Sequence, residues 1–307
     1  MQPKLIIHGG AGSSLNEKGE LEVVRKSLHR IVDELYKLLL GDTPALDVVV
    51  HGCQLLEDDP IFNAGTGSVL QSDGQIRMSA SLMDGLNHRF SGAINVSRIK
   101  NPIDLARALQ ESPDRVLSDN GAAEFVRELH MPVYDPLTNK RLNEWLEDRK
   151  QNFNRKMANV VTASSGTGTI GVVALDQKGR LAAGTSTGGK GFEKIGRVSD
   201  SATPAGNYAT GSAAVSCTGI GEDIIDECLA AKIVIRVTDG FSIKAAFERS
   251  FAEAHEHQRD LGAIGIDASG TINWGKTCDV ILAAFHDGQK IGDSLEADKG
   301  TLIFTAK

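Results

Sequence analysis

In the middle of the chain a polar tract turns abruptly into an apolar run, Ser164-Ser-Gly-Thr-Gly-Thr169-Ile-Gly-Val-Val-Ala-Leu-Asp176. A hydroxyl stands at the first position of what reads as a buried strand, directly after a glycine. Two readings of this junction compete: an ordinary loop leading into a strand, or a point of chain cleavage that makes Thr169 a new N-terminus. A threonine hydroxyl is a weak nucleophile until a base removes its proton. The histidines do not group with a serine in a Gly-x-Ser-x-Gly elbow, and His255 and His257, two apart on one predicted helix, face different directions. Cleavage before Thr169 would supply the base instead, because a free α-amino group has a reference pKa of about 7.7 to 8.0, near working pH. Nucleophile and base would then belong to one residue. Gly168 suits such a break, since it tolerates the strained backbone in which the hydroxyl attacks its own preceding carbonyl.

Three other patterns compete with this chemistry. Gly166-x-Gly168-x-x-Gly171 spells a dinucleotide fingerprint, but that fingerprint needs a strand before it and a helix after it, and here a β-branched run follows. Gly184-Thr-Ser-Thr-Gly-Gly189-Lys190-Gly191 approaches a P-loop, with Gly191 where the magnesium-binding hydroxyl belongs. Thr218-Gly-Ile-Gly-Glu222 opens a predicted helix, where unpaired amides and the helix dipole favour negative charge. In isolation that is an N-cap; it gains an oxyanion role only if a reaction develops one nearby.

The elements that must position these residues follow from periodicity. Lys4 to His8 reads as a strand ending in the turn His8-Gly-Gly-Ala-Gly12. Val24, Leu28, Ile31, Leu35 and Leu39, and then Ala45, Val48, Val49, Cys53 and Leu56, recur at helical spacing. Short runs at 67–70, 75–83 and 92–96 read as an antiparallel meander, with helices at 102–109, opened by Pro102, and 120–129. From Met131 the pattern dissolves, and 138–168 reads as a flexible, charged linker in which Leu142, Trp145 and Leu146 carry one helical turn or two at most. A hairpin at 169–175 and 181–187, a strand at 213–217, helices at 219–237 and 243–257, and strands at 263–267, 271–274, 280–285 and 302–305 complete the chain. Strands and helices in blocks favour an α+β layered sandwich over a doubly wound parallel sheet.

The chain has 307 residues, 41% hydrophobic and 24% charged, enough for one large or two modest domains. A net charge of −7 argues against nucleic acid, whose affinity comes from clustered Lys and Arg, and points to a small-molecule or peptide substrate. The first apolar run, Leu5 to Ile7, is too short for a signal peptide or a membrane span, so a cytoplasmic protein is expected. Cys53, Cys217, Cys228 and Cys278 form no CxxC pair, which signals neither a zinc site nor a disulfide framework, and buried free thiols are expected.

Gly168-Thr-Ile-Gly-Val-Val-Ala-Leu-Asp176 resembles the autocleavage site of the plant-type asparaginases, or isoaspartyl peptidases, within the N-terminal-nucleophile hydrolases. The resemblance spans nearly the whole chain through His8-Gly-Gly-Ala-Gly12, Leu56-Glu-Asp-Asp-Pro-Ile-Phe-Asn-Ala-Gly-Thr-Gly-Ser68, Met83-Asp-Gly85, Ser186-Thr-Gly-Gly189, Gly196-Arg-Val-Ser-Asp-Ser201 and Val215-Ser-Cys-Thr-Gly-Ile-Gly-Glu222. It implies a four-layer αββα sandwich, self-cleavage into 1–168 and 169–307 that together form one domain, and a dimer of such cleaved pairs. It implies Thr169 as nucleophile with Thr187 and Thr218 as hydroxyl neighbours, an oxyanion site at Thr218 and Gly219, and a supporting role for Asn63. Arg197 would clamp a substrate α-carboxylate, a role suited to its planar fork, and Asp200 and Gly221 would hold the α-ammonium group. Without the resemblance, Arg197 and Asp200 read as a surface ion pair. No cofactor is implied for the chemistry, but a sodium or potassium ion is, on backbone carbonyls of Leu56, Glu57, Asp59, Phe62 and Ala64. Ser79, Ile220, the segment 206–212 and Leu261 depart from the family pattern near the expected substrate pocket. The expected activity is hydrolysis of L-asparagine or β-aspartyl dipeptides. The alternatives are a hydrolase of another β-aspartyl amide, such as glycosylated asparagine, and a poorly maturing, non-catalytic family member.

Overall fold

Alternation along the strands sorts the side chains into layers. The computed structural model describes residues 1–12, 18–150 and 168–295. On β1 (Lys4–Gly12), Leu5 and Ile7 point one way into a core shared with helices, while Ile6 points the other way into a core between two sheets. On β5 (Ile170–Leu175), Val172 and Ala174 join the first core and Val173 and Leu175 the second. This period of two, apolar on both faces, is what a strand covered on both sides requires.

The larger sheet has eight strands in the order β12-β11-β1-β5-β6-β2-β3-β4. Its remaining members are β2 (Met78–Asp84), β3 (Arg89–Val96), β4 (Val116–Ser118), β6 (Leu181–Thr187), β11 (Val280–His286) and β12 (Ile291–Asp293). All neighbours pair antiparallel except β3 and β4. The second sheet, β10-β9-β8-β7, holds β7 (Asn207–Ala209), β8 (Ala213–Gly219), β9 (Leu261–Asp267) and β10 (Ile272–Lys276). Helices α1 (Lys18–Leu40), α2 (Ala45–Asp58) and α3 (Pro102–Leu109) cover the outer face of the larger sheet. Beyond α4 (Asp119–Glu128) and α5 (Asn139–Lys150), helices α6 (Gly221–Glu227), α7 (Leu229–Thr238) and α8 (Ile243–Glu256) serve the second sheet. Ala230, Ile233, Val234, Ala246 and Phe247 of α7 and α8 pack on its outer face against Val215, Cys217 and Ala263. The order helix, sheet, sheet, helix is the αββα sandwich expected from the sequence.

Each fully buried Val, Leu or Ile contributes roughly 1.5 to 3 kcal/mol, so the three apolar layers supply the cohesion that holds loop geometry at the strand ends. Helix α2 shows how the layers are pinned: Pro44 offers no capping side chain, and Asp176, in the turn after β5, accepts from the Ala45 N–H at 2.9 Å instead.

Several sequence expectations change. β1 runs through the glycines to Gly12, absorbing them in a register shift between His8 and Ala11. Residues 67–70 form no strand. The expected linker at 138–168 contains α5, anchored by polar contacts that no apolar stripe announces: buried Arg141 donates from Nε to the Gly67 carbonyl at 2.7 Å, and Trp145 Nε1 to the Gln71 carbonyl at 3.0 Å. Residues 151–167 of that tract, and the strand expected at 302–305, lie outside the described residues. The helix expected over 219–237 breaks at Cys228, which adopts φ +47° between α6 and α7. Cys53 and Cys217 are buried, whereas Cys228 is exposed and Cys278 half-buried.

Candidate active site

Three strand ends meet at one lip of the sandwich. β5 begins immediately after Thr169, β6 ends on Thr187, and β8 ends on Thr218 and Gly219. Pairing of β5 with β6 sets Ile170 opposite Ser186, which leaves the two threonines just outside as neighbours. The Thr169 hydroxyl donates to Thr187 Oγ1 at 3.0 Å, and the Gly189 N–H reaches the same oxygen at 3.1 Å. The preceding residue is held as well, by a Gly168 N–H bond to the Gly9 carbonyl at 3.1 Å.

Asn63 braces this turn from outside. Its Nδ2 donates to the Gly189 carbonyl at 2.7 Å, its Oδ1 accepts from the Val69 N–H at 3.0 Å, and its own carbonyl accepts from Gly188 at 2.9 Å. On the opposite side Thr218 is buried, and its hydroxyl has no partner among the described residues. Gly219 beside it takes φ +124°, a conformation open to glycine, which lets the chain leave β8 and enter α6 within two residues. An unpaired donor at a helix N-terminus is what a developing oxyanion needs.

Arg197, Asp200 and Gly221 also come together. A Cβ on Gly221 would overlap Arg197 Nη2 and stand 2.6 Å from Asp200 Oδ1, so only glycine leaves these groups a shared space. The two do not form the surface ion pair that residue type alone suggested. Arg197 gives Nε and Nη2 to Glu222 at 3.1 and 3.2 Å, and Asp200 is buried with Oδ2 unpartnered among the described residues. Burial pushes the Asp200 carboxyl up to about 6, against the pull of Arg197. Glu222 falls to about 2: its own burial opposes the shift, but Arg197 and Lys190 prevail. These residues line a cleft of about 180 Å³ with Thr169, Thr187, Gly219 and Ile220. That is below the roughly 300 Å³ at which drug-sized pockets begin, a size for a small substrate.

The sequence did not single out Lys190 or Glu222 as site residues, although both line the cleft and bond at 2.7 Å. It also missed the support behind Thr169. His8 Nε2 lies 2.9 Å from Ser216 Oγ, which lies 2.7 Å from Thr185 Oγ1, in a buried chain between the sheets. A Cβ on Gly171 would overlap both His8 and Ser216, which gives that glycine its reason. Burial lowers His8 to about 3, against the pull of the Thr169 backbone, so the ring is neutral and its Nε2 serves Ser216. Of the departures from the family pattern, Ile220 lines the cleft. Ser79 pairs opposite Thr187 and accepts from the Asn95 N–H at 3.1 Å, Asn207 donates to Ser81 Oγ between the sheets, and Leu261 is buried at the start of β9.

After α2 the chain doubles back over the residues expected to hold a monovalent cation. A Cβ on Gly67 would lie 2.6 Å from the Pro60 carbonyl and 2.9 Å from that of Phe62, so these oxygens converge on a cradle only glycine leaves open. The Glu57 and Asp59 carbonyls accept from Thr66 and Phe62 N–H groups at 2.7 and 3.1 Å, and each retains a second lone pair. An all-carbonyl donor set suits a hard cation. Among the described residues no cluster of His, Cys, Asp and Glu forms an alternative metal centre, and no helix is long and apolar enough to cross a membrane.

Two facing sheets between helical layers, with a threonine opening a central strand at their shared lip, define the N-terminal-nucleophile type of hydrolase fold. The chain belongs to the asparaginase family, whose profile matches residues 1–296, as its sequence blocks led one to expect. It is 68% identical over 310 residues to an isoaspartyl peptidase/L-asparaginase of a Nostoc species, covering 99% of this chain and 98% of that one. A Synechocystis protein of the same name is 61% identical over 305 residues, 98% of this chain and 92% of its own. The human isoaspartyl peptidase/L-asparaginase is 36% identical over 279 residues, 89% of each chain.

Proposed function

We propose that this chain is an amidohydrolase that cuts L-asparagine and β-aspartyl dipeptides through Thr169, after breaking its own backbone between Gly168 and Thr169. The observation that carries this reading is the Thr169 hydroxyl, bonded to Thr187 at 3.0 Å in the same cleft as Arg197 and Asp200. In the maturation step Thr169 Oγ attacks the Gly168 carbonyl carbon, the C–N bond breaks as the acyl group passes to oxygen, and water hydrolyses the ester. The pieces 1–168 and 169–307 stay together as one domain, and a dimer of such pairs in the cytoplasm is the expected form.

In turnover the freed α-amine of Thr169 takes the hydroxyl proton and the oxygen attacks the side-chain carbonyl of the substrate. Negative charge on that carbonyl oxygen is met by the Thr218 hydroxyl and the Gly219 N–H. The proton passes to the leaving ammonia or amino acid, and water releases aspartate from the threonyl ester. Arg197 opposes the α-carboxylate, and ionised Asp200 with the backbone at Gly221 opposes the α-ammonium group. A sodium or potassium ion on the loop from Leu56 to Ala64 would stiffen the turn that carries Asn63, with no part in bond making.

Intact mass measurement of the purified protein should return two species, 1–168 and 169–307, alongside ammonia release from asparagine and cleavage of a β-aspartyl dipeptide. An uncut chain with full activity overturns the mechanism; an uncut and inert chain indicates the non-catalytic alternative.

A further inference from the structure

The aspartyl half of a substrate engages Thr169, Thr218, Gly219, Arg197, Asp200 and Gly221 in the proposed reaction. Besides these, Thr187, Gly189, Lys190, Ser199, Ile220 and Glu222 line the cleft. Only one of them is a cation. Lys190 follows Gly189, whose N–H bonds Thr187 Oγ1 at 3.1 Å and whose carbonyl Asn63 holds at 2.7 Å, so its backbone is fixed close to the reacting centre. Its ammonium group bonds Glu222 Oε1 at 2.7 Å, and Arg197 Nε reaches that same oxygen at 3.1 Å. The cleft thus presents two cations side by side, and Glu222 neutralises one charge between them. Of the three N–H donors on an ammonium group, the Glu222 bond uses one, so a second carboxylate can bind without breaking it. Asparagine carries one carboxylate. A β-aspartyl dipeptide carries two, the second on the amino acid that leaves.

We propose that Lys190 is a specificity-determining residue that recognises the free carboxylate of the leaving amino acid, so that a β-aspartyl dipeptide with an unblocked C-terminus is favoured over its C-terminal amide. Ile220, partly exposed on the rim between the two glycines, supplies apolar contact to that amino acid's side chain. This inference rests on the proposed function. It also explains how substrates sharing one acyl-enzyme can be told apart: once the amine has left, the threonyl ester is identical for all of them, so discrimination resides in the first half-reaction and appears in kcat/KM.

The test compares kcat/KM for β-aspartyl-alanine, β-aspartyl-alaninamide and asparagine in the wild-type protein, Lys190→Met and Lys190→Arg. A hydrogen bond to a charged group in such a site is worth on the order of tenfold or more in affinity. The wild type is therefore expected to favour the acid over its amide by about tenfold, Lys190→Met to bring that ratio near one, and Lys190→Arg to keep most of it. Taking the ratio within one preparation cancels any loss of folded protein. Equal wild-type rates on acid and amide overturn the assignment while leaving the function standing. So does a Lys190→Met variant that loses equally on all three substrates, since Lys190 would then serve the aspartyl carboxylate they share. A wild type that cleaves none of the three removes the functional reading and this inference together.

Discussion

Two polar regions flank Thr169 and they are built in opposite ways. Behind it, His8, Ser216 and Thr185 form a fully buried seam between the sheets, linked through neutral groups, with His8 Nδ1 left unpartnered among the described residues. In front of it, Arg197, Asp200, Lys190 and Glu222 form a charged wall with an unsatisfied carboxylate oxygen on Asp200. Burial keeps His8 neutral at any working pH, with a pKa of about 3, whereas Asp200 titrates near 6. A buried neutral network fixes positions, while unsatisfied charge retains capacity to bind and lowers stability. On the proposed reading, the seam places the nucleophile and the wall selects what reaches it.

Substitutions on each side put this division of labour at risk. Replacing Thr169 by Ala removes the atom both regions serve: activity should fall by at least about four orders of magnitude, and intact mass should show one uncut chain. Residual cleavage before residue 169 would deny it the nucleophile's role. Gly171→Ala attacks the seam, because the new methyl overlaps His8 and Ser216. The expected loss is about 3 kcal/mol or more of stability, read as a large drop in melting temperature.

Asp200→Asn should separate the two regions most clearly. Activity should fall about a hundredfold, mainly through KM, from the loss of a buried charged contact. The folded-state pKa, about 6, lies above the ordinary 3.8, so the stability contributed by this group is complete below pH 3.8 and lost as pH rises through 6. At pH 8 the ionised carboxylate therefore destabilises the fold by roughly 3 kcal/mol, and the Asn variant should melt higher there than the wild type despite its lost activity. Wild-type kcat/KM should decline with falling pH as the Thr169 α-amine is protonated, and more steeply below about 6, where Asp200 also takes up its proton. A variant less stable than wild type at pH 8 would reverse this account. The smallest effect is expected from Ser216→Ala, which strands His8 Nε2 while Thr185 keeps the Gly206 carbonyl at 3.4 Å, at about 1 to 3 kcal/mol of stability, with activity at 25 °C staying within severalfold. If it impairs turnover more than Asp200→Asn does, the division between placing and selecting fails.

Thr187 entered as a site residue only through the family resemblance, whereas Thr169 stood out in the sequence because an apolar run starts there beside a glycine, and Thr218 and Gly219 because they open a helix, both local signals. The alternating strands and helical stripes that frame them were legible for the same reason. The seam was not: Ser216 lies 208 residues from His8 and 31 from Thr185, and nothing local marks them as partners. Helix α5 was legible only as a turn or two because Arg141 and Trp145 hold it through distant carbonyls and not through an apolar stripe. Lys190 entered the sequence reading only within a near P-loop and Glu222 only at a helix opening, and nothing local marked either as a partner of Arg197.

In the larger sheet β1 lies between β11 and β5, and β5 with β6 lies between β1 and β2, so segments from either side of residue 169 are interleaved like the teeth of a zip. Asp176 from one side also caps α2 on the other. Scission there would release ends without releasing bodies: neither fragment could depart without ripping a continuous ladder, and fragments synthesised apart would each lack the neighbours their strands need.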